Sequence, residues 1–85
     1  MDEHDSRTSD ALRRAKNAHA RHFGRLNGLV ARVCTGTDRR LPGARHYPKR
    51  FIRVEDQESG AITDWAFHRP RLEKIAERPP SGAEA

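Results

Sequence analysis

Four side chains in this sequence have the chemistry of zinc ligands: His19 and His22, one helical turn apart, together with Cys34 and His46. Three imidazoles and one thiolate would complete a tetrahedral site. The spacing permits such a site without requiring it. There is no Cys-x-x-Cys pair, two histidines at i and i+3 recur by chance, and a lone cysteine in an apolar strand is usually a small buried hydrophobe. No metal and no cofactor is therefore expected. A second set, His46, Glu55, Asp64 and His68, has the groups of a small ribonuclease of the kind found among bacterial toxins. That reaction needs an acid and a base about a phosphate apart, with a cation between them for the developing charge. Asp64 and His68 are four residues apart on one strand, about 13 Å at strand rise, too far for a direct pair. Both read more simply as surface or strand-end residues, so no catalytic residue is assigned and the ribonuclease stands as the second alternative.

The third chemistry is binding of a polyanion, and the charge distribution favours it. Between Ala11 and Arg53 there are twelve Arg or Lys residues and one acid, Asp38, a net charge of +11, while residues 1–10 and residues 54–85 each carry a net charge of −3. Cations gathered in one stretch build a surface potential that a scattered excess does not. Within the block two groups stand out: Arg13, Arg14, Lys16, Arg21 and Arg25 in or just after a helical segment, and Arg39, Arg40, Arg45, Lys49 and Arg50 in a loop that also holds His46 and Tyr47. The cations suit phosphate and Tyr47 could stack on a base. The plainer reading of the same residues is a solvated helix face that keeps the chain soluble, and a surface loop that Tyr47 anchors to the core. Arginine outnumbers lysine fourteen to three, which fits planar phosphate contacts but equally the codon usage of a GC-rich genome.

These side chains must be positioned by a fold with little core. Eighty-five residues make one domain at most, and the large apolar residues suffice for one small cluster. Cys34 is the only cysteine, so no internal disulfide can staple the fold, in keeping with a reducing, cytoplasmic setting. Neither Leu29-Val30-Ala31 nor Trp65-Ala66-Phe67, the longest apolar runs, could serve as a signal or membrane segment, so no membrane partner is expected.

Residues 1–7 are polar without periodicity and read as a disordered lead. Thr8 or Ser9 can cap a helix over residues 9–24 whose buried stripe is Ala11, Leu12, Ala15, Ala18, His22 and Phe23, with Gly24 as its stop. Its other side is basic, so the helix is amphipathic. From there the pattern is that of a sheet over residues 27–76. Leu29 to Thr35 is a first strand, and Gly36 to Lys49 a loop interrupted by Pro42, Gly43 and Pro48. Arg50 to Glu55 is a second strand with Ile52 and Val54 inward and Arg53 and Glu55 outward. Asp56-Gln57-Glu58-Ser59-Gly60 is a turn closed by a left-handed glycine, leading into a third strand over Ala61 to His68 with Trp65 and Phe67 on one face. Leu72 and Ile75 sit on a helical turn or final strand, inside a single domain over residues 8–76, and residues 77–85 are composed for disorder.

The spacing of Leu29-Val30-Ala31-Arg32-Val33, Phe51-Ile52-Arg53-Val54 and Trp65 to Ile75, with a long loop and a tight hairpin between them, resembles a small SH3-like barrel. The expected fold class is therefore α+β, an N-terminal amphipathic helix packed on a small antiparallel SH3-like sheet or barrel. The resemblance implies kinship with nucleic-acid and ribosome- or polymerase-associated barrels rather than peptide-binding ones, since the basic loop lacks the string of acidic and aromatic residues typical of peptide-binding SH3 loops. The function expected is non-enzymatic binding of DNA or RNA along its phosphate backbone. An adaptor or inhibitor docking on an acidic protein surface is the alternative. A thin core also suits a homodimer, and exposure of Trp65 or Phe67 would mark a protein interface.

Overall fold

The computed structural model describes the backbone of residues 3–24, 28–35, 40–42, 46–67 and 71–80, and side chains from Thr8 onward. One helix, α1 (Glu3–Phe23), precedes four strands, β1 (Leu29–Thr35), β2 (Arg50–Asp56), β3 (Ile62–Phe67) and β4 (Leu72–Arg78). The strands form one antiparallel meander in the order β1-β2-β3-β4. The fold is thus α+β, a helix packed on a small antiparallel sheet. Among the described residues β1 and β4 are open edges, so the architecture is a covered sheet rather than a closed barrel.

The helix begins at Glu3, earlier than a cap at Thr8 or Ser9 predicts, because each residue added to a formed helix costs little once nucleation is complete. It ends where expected: Gly24 has φ 76°, and its N–H donates to the Ala20 carbonyl at 2.6 Å, the left-handed close that glycine adopts without a Cβ penalty. Its packed stripe gains His19 and loses His22. Ala15 and His19 are fully buried, whereas His22 is exposed. Small residues at Ala11, Ala15 and Ala18 let α1 lie close on the sheet, against Leu29, Ile52, Val54 and Trp65. Among the described residues no helix is long and apolar enough to cross a membrane.

The sheet has a second packed face. Strand pairing places Cys34, Phe51, Arg53, Asp64 and Ala76 on the side away from α1, where Cys34 and Phe51 cluster with Tyr47 of the β1–β2 loop, and Ile75 and Ala76 flank them. Among the described residues there are thus two small apolar clusters, one under the helix and one under the loop, instead of the single cluster expected. Arg53, expected to face solvent, is 7% exposed, and Asp64 is fully buried.

The last strand explains the spacing of Leu72 and Ile75. Trp65 pairs with Lys74 but the adjacent Asp64 pairs with Ala76, so Ile75 is the extra residue of a β-bulge. Strand alternation sets Leu72 and Ile75 on opposite faces, and the bulge keeps the next residue, Ala76, on the same side as Ile75. Leu72 packs with the helix cluster, and Ile75, three residues on, with the loop cluster. Pairing continues through Glu77 and Arg78, which belong to the strand rather than to a tail.

Candidate nucleic-acid interface

The loop that carries half of the expected site is held from below by a buried polar chain. The hairpin register sets Arg53 opposite Asp64. Arg53 Nε donates to Asp64 Oδ1 and Nη2 to Oδ2, both at 2.8 Å. The Tyr47 hydroxyl donates to Asp64 Oδ2 at 2.5 Å and accepts the Leu41 N–H at 3.1 Å. A buried carboxylate is costly unless ionically paired and fully hydrogen-bonded, and here both oxygens are engaged. The Asp64 bond in turn holds the Arg53 guanidinium in its charged form, raising its pKa. Burial, then the bond to Asp64, pushes the Tyr47 hydroxyl above its ordinary value.

Tyr47 is therefore not a stacking platform. Its ring meets Phe51 edge-on with centroids 4.8 Å apart and is 7% exposed, because its hydroxyl can reach Asp64 only if the ring lies against the sheet. Trp65 is also core, with Nε1 donating to Thr63 Oγ1 at 2.8 Å, and Phe67 is half-buried beneath Arg50. All five aromatic residues are buried or half-buried.

Exposed cations stand at the loop end of the sheet, on both of its faces. Arg40 sits over the Tyr47 ring, 5.4 Å from its centroid, and Lys49 is exposed where the loop joins β2. Arg50 lies 5.6 Å over the Phe67 ring. Phe67 pairs with Leu72, so Arg71 emerges at the same end of the sheet. Arg40, Lys49, Arg50 and Arg71 are in no ion pair among the described residues. The opposite end holds the hairpin turn with Asp56 and Glu58, and Glu77 of β4. Cations are thus gathered at the loop end, where Glu73 of β4 is also exposed, and Arg78 stands among the acids at the turn end.

The helix cations are placed differently. Arg13 and Arg14 are exposed but lie 2.5 and 3.7 Å from the Asp10 carboxylate. Lys16 is half-buried and Arg21 exposed. Because α1 covers one sheet face and the loop the other, Arg40, over Tyr47, and the helix cations lie on opposite sides of the sheet, while Arg50, over Phe67, is on the helix side. Arg25, Arg39 and Arg45 lie outside the described residues. Arg71 was missed because it falls in the net-acidic C-terminal segment. Exposed Arg32, opposite Arg53 on β1, was missed because a single strand cation is unremarkable in sequence.

The remaining candidate chemistry disperses. His19 is on the helix side of the sheet and Cys34 on the loop side, so the postulated zinc set is not assembled. Among the described residues no three His, Cys, Asp or Glu side chains are grouped to hold a metal. His19 Nδ1 lies 2.7 Å from Thr63 Oγ1, while its Nε2 is buried with no hydrogen-bond partner, and burial lowers its pKa against the raising influence of Asp56. His22 Nε2 instead reaches Glu77 Oε1 at 2.8 Å, with Lys74 on the same carboxylate. Those bonds, Lys74's above all, hold Glu77 below the usual carboxylate range. Of the ribonuclease set, Asp64 is sealed and ion-paired, His46 is exposed, Glu55 is half-buried, and His68 lies outside the described residues. No protein-family model, curated protein or solved structure matches the chain.

Proposed function

We propose that this protein binds nucleic acid without catalysis, through phosphate contacts made mainly by the loop end of the sheet. The observation that carries the reading is the set of four exposed cations, Arg40, Lys49, Arg50 and Arg71, drawn from three segments to one end of the sheet with no carboxylate paired to them. Phosphate backbones are recognised by such charge without any base readout. The meander with its long β1–β2 loop is compatible with an SH3-like sheet, and on that likeness the loop is the natural binding element. Since every Phe, Tyr and Trp ring is buried or half-buried, stacking of these rings on unpaired bases contributes little. Charge density then decides, and duplexes with their closer phosphates are bound at least as well as single strands.

Charge reversal tests the reading. Arg40→Glu combined with Lys49→Glu and Arg50→Glu, all at exposed positions, abolishes fluorescence-anisotropy binding to a labelled duplex while leaving the thermal melt intact. Retained binding by the folded triple variant contradicts it. A stoichiometric protein complex that survives nuclease and moderate salt would instead favour docking on an acidic protein surface.

A further inference from the structure

We infer that the buried Tyr47–Asp64–Arg53 chain is a latch that positions the β1–β2 loop for polyanion binding, which makes Tyr47 and Asp64 positioning residues of the interface rather than contacts. The inference rests on the nucleic-acid reading above. Residues 36–49 join β1 to β2, and a chain segment of that length loses conformational freedom when it is ordered on a ligand. At Leu41 and Tyr47 the latch makes that loss before the ligand arrives.

It does so at two points of the loop. The Tyr47 hydroxyl takes the backbone N–H of Leu41 at 3.1 Å and gives its own proton to Asp64 at 2.5 Å. Asp64, on β3, is fixed in turn by the two 2.8 Å bonds from Arg53 of β2. Arg40 immediately precedes the anchored Leu41, and its guanidinium rests 5.4 Å over the Tyr47 ring. The same tyrosine thus fixes the backbone next to Arg40 and supplies the surface that carries its charge. Apolar packing alone would seat an aromatic ring here without specifying its depth. A hydroxyl that must meet a carboxylate on one side and an amide on the other specifies both depth and rotation.

Two measurements on the full chain test this. In the unmodified protein, amide hydrogen exchange followed by NMR finds Leu41 protected at least tenfold over the rate for an open loop. Exchange at the open rate overturns the latch without any variant having to fold. The second is a cycle of Tyr47→Phe, Arg40→Ala and the double variant, read as affinity for a labelled duplex DNA at low salt. Tyr47→Phe keeps the ring and removes the hydroxyl, so the loss caused by Arg40→Ala becomes several-fold smaller in that background than in the parent. Equal losses in the two backgrounds overturn the positioning role. Failure of the unmodified chain to bind duplex at all, with Leu41 protected, overturns the nucleic-acid reading, and with it the latch's part in binding.

Discussion

Arg53 and Asp64 oppose each other across β2 and β3, joined by two 2.8 Å contacts, with neither side chain more than 8% exposed. Such a pair is costly to break and inexpensive to replace as a unit, since removing one member strands the other charge in the interior. Asp64→Asn is expected to lower stability by about 3–5 kcal/mol. The double change Arg53→Met with Asp64→Leu costs less than Asp64→Asn alone. Urea denaturation of the three proteins decides it, and a double variant weaker than the single one would show that the pair itself stabilises the fold.

His19 makes stability fall in mild acid. The groups facing it are Thr63 and Asp56 from the sheet and His22 and Phe23 from its own helix. Burial lowers its folded pKa below the ordinary 6.5, so the unfolded chain binds the proton more readily. The contribution is complete above about pH 6.5 and is lost as pH falls from there through the lowered folded value. His19→Gln cannot titrate and flattens the dependence of Tm between about pH 6.5 and 5. Parallel Tm profiles for the two proteins would assign that loss to other groups.

The hairpin turn depends on one backbone conformation. Gly60 has φ 81° and its N–H donates to the Asp56 carbonyl at 2.8 Å, while Asp56 Oδ1 accepts the N–H groups of Glu58 and Ser59. Gly60→Ala is expected to cost about 1–2 kcal/mol, the left-handed penalty of an L side chain. A chemical melt reads it directly, and an unchanged midpoint would mean the turn relaxes to another form.

The helix contributes less to binding than its charge suggests. Arg13 and Arg14 share Asp10, whereas Lys49 and Arg50 are in no ion pair among the described residues. Arg13→Ala with Arg14→Ala therefore reduces duplex affinity less than Lys49→Ala with Arg50→Ala, by anisotropy at one fixed salt concentration. The reverse order would move the interface to the helix.

Much of this arrangement was legible in the residues. The apolar alternation of Leu29 to Thr35 defined β1 at its observed bounds, and the Asp56 to Gly60 turn was clear from its composition. That turn also held a signal that was not used. A hairpin closing Asp56 on Ala61 puts Arg53 opposite Asp64, and an Arg–Asp pair in register is a better candidate for a buried bridge than two separate surface charges. The loop cover was not legible because nothing local distinguishes a Tyr47 that reaches a distant carboxylate from one that faces solvent. The bulge was hidden for a related reason: Leu72 and Ile75 at a spacing of three mimic one helical face, whereas strand alternation sets them on opposite faces of the sheet and the extra residue brings Ala76 to the side of Ile75. The placement of Arg40 and of the helix cations on opposite faces follows only from knowing which face the loop and the helix each cover.

The most direct measurement is the salt dependence of duplex binding by the unmodified chain, followed by anisotropy from about 50 to 300 mM salt with probe integrity checked afterwards. Four phosphate contacts from Arg40, Lys49, Arg50 and Arg71 predict a log–log slope of about −3.6 with the probe intact. A flat, weak signal on every probe, or a degraded one, would contradict a non-enzymatic phosphate-binding role.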